Sequence, residues 1–104
     1  MWIFTKNEFL SAVQHRDMSD HLMIRYRNIK QAEACTLPGE VSVTQNADYI
    51  ARKTVSKESF KQWMNEQIDD LDYDNYKNST YPTSMSKAPL MDVWSSMHQW
   101  QGKQ

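Results

Sequence analysis

The spacing of apolar positions divides the chain into a strand-like first half and a helical second half. Trp2-Ile3-Phe4-Thr5 and Phe9-Leu10-Ser11-Ala12-Val13-Gln14 are β-prone runs joined by the polar Lys6-Asn7-Glu8, although the second run would also pass for a short helix. In Leu22-Met23-Ile24-Arg25-Tyr26-Arg27, the residues Leu22, Ile24 and Tyr26 alternate with the others, as in a strand covered on one face. Asn28 is placed to cap a short helix from Ile29 to Cys35, ended by Leu37-Pro38-Gly39. Strands are expected again at Val41-Ser42-Val43-Thr44 and Tyr49 to Val55, with Gln45-Asn46-Ala47-Asp48 as the turn between them. From Ser56 onward the period changes. Phe60, Trp63, Met64, Ile68 and Leu71 recur at three and four residues and predict a helix over about 57–71. Leu90, Val93, Trp94, Met97 and Trp100 do the same for a helix over 89–101, with Pro89 in its first turn and Gly102 at its end. The stretch 75–89 has neither period and is expected to be irregular.

This order of elements predicts a single α+β domain over 1–104: a small antiparallel sheet from the N-terminal half, with the two amphipathic helices packed on one of its faces. Composition bears on whether such a domain folds. Leu, Ile, Val and Phe supply only 18 of 104 residues, a level at which disorder becomes a rival reading, but the net charge is −1. Without self-repulsion, and with 4 Trp, 5 Tyr and 7 Met, the chain is expected to build its core on aromatic and thioether side chains.

Charge and cysteine narrow the setting. The two halves carry nearly equal numbers of acids and bases, so no basic arm for nucleic acid stands out, and nucleic-acid binding ranks as a second alternative function carried by Arg25, Tyr26 and Arg27. The only cysteine, Cys35, cannot form an internal disulfide, and Lys6-Asn7-Glu8 breaks the first apolar run well short of an export signal or a membrane span. A cytoplasmic protein that does not enter membranes is the expectation.

Candidate chemistry is sparse. Asp70-Leu71-Asp72-Tyr73-Asp74-Asn75 has the carboxylate spacing with which a calcium loop begins, but it has Asn75 in place of the turn glycine and Tyr81 in place of the last bidentate ligand. A solvated acidic helix end is the simpler reading. His15, Asp17, Asp20 and His21 are four ligand types within seven residues of a polar loop, without a readable second shell. With two glycines in the whole chain there is no phosphate cradle, and no nucleophile elbow, dinucleotide fingerprint or zinc quartet is present. No catalytic residue, cofactor or metal is therefore assigned. Trp, Tyr, Met and Arg are the types enriched at protein interfaces, and a chain this short cannot hide all of its own. The leading expectation is a small interaction or regulatory module, either a homodimer or a binder of another protein such as a phage or mobile-element inhibitor of a host factor. Its partner-binding residues are expected at Tyr73, Asn75, Tyr76, Tyr81, Met85, Trp94 and Trp100. The alternative is a small enzyme or ligand- or metal-binding protein that uses Asp72, Tyr73 and Asn75 around a pocket.

The opening Trp2-Ile3-Phe4-Thr5, Phe9-Leu10-Ser11 and Val13-Gln14, followed by Leu22-Met23-Ile24-Arg25-Tyr26-Arg27, resembles a family of small uncharacterised bacterial proteins of roughly this length. Asp48-Tyr49-Ile50-Ala51-Arg52, Leu71-Asp72-Tyr73-Asp74-Asn75-Tyr76-Lys77 and Val93-Trp94 are similar to later segments of that family, in the same order. The chain departs from it in having a shorter helix before Cys35 and in Ser79 to Ala88, where the family has a more basic, His-containing stretch. The resemblance implies an intracellular protein with no assigned catalytic residue or cofactor. It also implies that Asp70 and Asp74 are dispensable to the pattern, so that Asp72-Tyr73-x-Asn75 has a structural or docking role.

Overall fold

The computed structural model describes residues 1–79 and 87–104. Its elements in chain order are β1 (Trp2–Phe4), β2 (Phe9–Gln14), β3 (His21–Tyr26), α1 (Ile29–Ala34), β4 (Ser42–Val43), β5 (Ala51–Ser56), α2 (Lys57–Asp69), α3 (Tyr76–Ser79) and α4 (Lys87–Gln101). The five strands form one antiparallel sheet in the order β1-β2-β3-β5-β4, so the α+β class and its N-terminal sheet stand as read.

Short polar side chains fix the joints. Thr5 Oγ1 accepts from the backbone N–H of Asn7 and Glu8 at 3.2 and 3.0 Å, closing the β1–β2 turn. Asn28 Oδ1 accepts from Gln31 N–H at 3.0 Å and starts α1. Ser56 Oγ does the same for Ser59 N–H at 3.1 Å, so β5 runs into α2 with no loop between them. Two connections need left-handed backbone: Gly39 at φ 112° and Asn46 at φ 65°, the second in the expected turn before β5.

The two sheet faces differ. Leu10 and Ala12 of β2, Ile24 and Tyr26 of β3, and Ala51 and Val55 of β5 are buried with Ala32 of α1 and Phe60 and Trp63 of α2, and together they make the core. Lys53 shares that face and is only 4% exposed. Its Nζ donates to the carbonyls of Cys35 and Leu37 at 3.0 and 2.8 Å, tying the end of α1 to the sheet. Trp63 Nε1 donates to Thr36 Oγ1 at 3.1 Å in the same region.

Three expectations differ from what is seen. The last helix does not pack on the sheet beside α2. Its main packing partner is α3, and of its stripe only Leu90 is buried, while Val93, Trp94, Met97 and Trp100 are 42 to 68% exposed. Periodicity marks an apolar face but does not say what covers it, and the sheet's core face is already occupied by α1 and α2. The α2 stripe is also cut short: Ile68 and Leu71 are exposed, because α2 runs past the core before Asp70 ends it. Finally, within 75–89 the described residues hold α3 and the first residues of α4.

Candidate functional site

The chain leaving α2 turns across the end of the β1–β2 hairpin. Lys6 Nζ meets Asp72 Oδ1 at 3.2 Å on the surface, and Tyr76 Oη donates to the Thr5 carbonyl at 2.8 Å. Asn75 Oδ1 accepts from Asn78 N–H at 3.3 Å and begins α3. The Tyr73 and Tyr76 rings lie 5.9 Å apart. Burial pushes the Tyr76 hydroxyl up to about 12, with the nearby Tyr73 and Glu8 adding to the shift, so its proton stays on the bond to Thr5 at any ordinary pH.

Between this segment and α4 lies an open groove of about 670 Å³, walled by Phe4, Tyr73 and Tyr76 on one side and by Leu90, Val93, Trp94 and Met97 on the other. The Trp94 ring is held on two sides: His98 stacks on it at 5.0 Å with an interplanar angle of 8°, and Lys77 Nζ lies 4.8 Å from its centroid. Trp100 lies nearly two turns further along α4 than Trp94, outside the groove, in a shallow depression that shares Trp94 and Met97 with it. Of the residues expected at a partner surface, Tyr73, Asn75, Tyr76 and Trp94 are therefore brought together and Trp100 adjoins them. Tyr81 and Met85 lie outside the described residues.

The residues considered for other chemistry are spent locally. Asp72 pairs with Lys6, Asp70 caps α2, and His15 Nδ1 accepts from Asp17 and Met18 N–H at 3.1 Å each. Among the described residues no three His, Cys, Asp or Glu side chains converge as metal ligands would. No helix among them is long and apolar enough to cross a membrane.

Sequence reasoning missed one cluster. Glu8, Gln31 and Cys35 are buried around a cavity of about 320 Å³ at the ends of α1 and α2. Glu8 Oε2 accepts from Thr5 Oγ1 at 2.5 Å. Behind them the Tyr26 hydroxyl is fully buried without a well-aligned hydrogen bond, with the Cys35 thiol as its polar neighbour. Burial pushes both the Cys35 thiol and the Tyr26 hydroxyl up, which keeps the sulfur protonated and a poor nucleophile. The signal available in sequence was the alternation of Tyr26 with Ile24; nothing local marked Glu8.

A comparison with protein-family models, curated proteins and solved structures finds no match to this chain.

Proposed function

We propose that the chain is a protein-interaction module that takes hold of its partner through the groove and the outer stripe of α4. One observation carries this reading: a helix of 15 residues keeps a continuous row of Val93, Trp94, Met97 and Trp100 in water beside an apolar groove. A helix this short gains most of its stability from packing its apolar face, and here that packing is largely unmade. Large aromatic and Met side chains around a preformed depression are also the residue types that anchor protein interfaces. An apolar segment of another protein laid along α4 would cover the row and place a side chain in the groove. A second copy of the chain is the homodimeric version of the same reading.

The test is a comparison of the wild type with a Trp94→Ala, Met97→Glu double variant. Both positions are about half exposed, so the variant keeps its fold and melting temperature. Proteins captured by the wild type and lost by the variant support the reading, as does a wild-type mass of two chains by light scattering that falls to one in the variant. If wild type and variant capture the same set and both run as monomers, the surface has no such role.

A further inference from the structure

The sheet face turned away from α1 and α2 is partly open among the described residues, with Trp2 exposed, Phe9, Arg25 and Arg52 half-buried and Ser11 buried, and the strand register writes a row across it. Trp2 stands opposite Ser11, Ser11 opposite Arg25, and Arg25 opposite Arg52. At the usual strand spacing Arg25 lies about 10 Å and Arg52 about 14 Å from Trp2. At one end of the row Trp2 is 69% exposed, with its ring edge-on to Phe9 at 6.0 Å, and Phe9 in turn lies 4.6 Å from Phe4. The result is an apolar, aromatic surface open to solvent.

The other end is cationic. Two like charges directly opposite one another on neighbouring strands destabilise a sheet. Arg25 and Arg52 are so placed, and among the described residues neither forms an ion pair. Arg25 donates to Ser11 Oγ at 2.8 Å and lies 4.4 Å from the Tyr49 centroid, while its Nε is buried with no acceptor. Among the described residues Arg52 donates only to the Tyr49 carbonyl, at 3.2 Å. No strand residue on this face is acidic. The chain's net charge of −1 hides this, because five of its thirteen acids lie between Glu66 and Asp74, on α2 and the segment after it.

We propose that this face binds single-stranded nucleic acid, with a base stacked on the exposed Trp2 ring, which Phe9 supports edge-on, and the adjoining phosphates on Arg25 and Arg52. An exposed sheet that combines aromatic rings with arginines recognises unpaired bases by stacking and backbone by charge. An acidic peptide would use the arginines and leave the aromatic end of the row unused. The row adjoins the α4 groove at Phe4, but Trp2, Arg25 and Arg52 lie outside that groove, so variants at these three positions test this inference separately from the interaction reading.

The experiment is fluorescence anisotropy of dye-labelled oligo-dT and oligo-U, titrated with the full chain at 50 and 200 mM salt. Two phosphate contacts on a single strand predict about a sevenfold loss of affinity between those salts, and Arg52→Gln reduces that to about threefold. Trp2→Ala weakens binding at least fivefold at either salt. Trp2 is mostly exposed and Arg52 half-buried, so unchanged melting curves establish that both variants are folded. Trp100→Ala, on the α4 stripe, leaves the affinity unchanged. The proposal is overturned if no binding is seen up to 100 µM protein in about 50 mM salt. It is equally overturned if Trp2→Ala binds as the wild type does, or if heparin or an acidic peptide competes as well as the oligonucleotide, since each would leave a charged face without base recognition.

Discussion

Replacing Tyr76 by Phe removes one hydroxyl and keeps the ring in the groove wall. That hydroxyl donates to the Thr5 carbonyl at 2.8 Å across 71 residues of chain, and it fastens the segment between α2 and α3 to the β1–β2 turn. A buried hydrogen bond contributes about 0.5–1.5 kcal/mol net, and an abandoned carbonyl adds to its loss. A cost of about 1 kcal/mol corresponds to roughly 4–8 °C in melting temperature for a domain of this size. The pH dependence supplies the sharper check. The folded value of Tyr76 is raised from 10.0 to about 12, so its contribution is complete below pH 10 and is lost as pH rises through 12. Thermal melts followed by circular dichroism should therefore show the wild type above Tyr76→Phe at pH 7 and the gap closing between pH 10 and 12. Tyr26, whose hydroxyl is also raised, keeps some alkaline lability in both proteins. A variant that melts with the wild type at pH 7, or a gap that does not change with pH, would refute the bond's role.

Other substitutions probe the scaffold under the two surfaces. Gly39→Ala forces a side chain onto φ 112° and sets its Cβ 3.1 Å from the Thr54 carbonyl, so it should lower stability by about 1–3 kcal/mol in chemical denaturation; an unchanged midpoint would show that the loop relaxes freely. Lys53→Met strands the Cys35 and Leu37 carbonyls and should cost about 2 kcal/mol, read as a melting shift of at least several degrees, whereas a more stable variant would mean that the buried ammonium is a net burden. Asp72→Ala removes only an exposed pair with Lys6 and should change stability by less than about 1 kcal/mol in the same assay.

How far the sequence could be read depended on what each signal encodes. Alternation in Leu22 to Arg27 put Ile24 and Tyr26 inward and Arg25 outward correctly, and the caps Asn28 and Ser56 lie where they were expected. Strand pairing is not a local property, so nothing before the structure set Arg25 opposite Arg52 or put Trp2 in line with them. Likewise Ala51-x-Lys53-x-Val55 has a core period with a lysine inside it. Only the fold shows the two carbonyls that make a buried ammonium tolerable there. At the candidate site the local cluster Tyr73, Asn75 and Tyr76 was legible, because neighbours in sequence stay neighbours in space. The groove itself was not, since its far wall comes from α4 and its near wall includes Phe4 of β1.

Few aliphatic residues and many aromatic and Met residues implied a core built from the latter, and Tyr26, Tyr49, Phe60 and Trp63 are buried alongside Leu10, Ile24, Leu37 and Val55, but no Met is among the buried residues described and Met64 only packs against the core from its edge. Of four tryptophans only Trp63 is buried, at 3% exposure, while Trp2, Trp94 and Trp100 are 46 to 69% exposed. If the exposed three serve binding and not folding, stability must separate them from Trp63. Trp63→Ala removes a core ring packed on Phe60 together with its bond to Thr36, and should cost about 3–5 kcal/mol. Alanine at Trp2, Trp94 or Trp100 should cost about 0.5 kcal/mol or less, in the range of ordinary surface changes. Urea unfolding of the four single variants measures this directly. Comparable losses at all four positions would mean that the exposed rings are parts of the scaffold, and both proposed surfaces would lose the argument that they are kept for a partner.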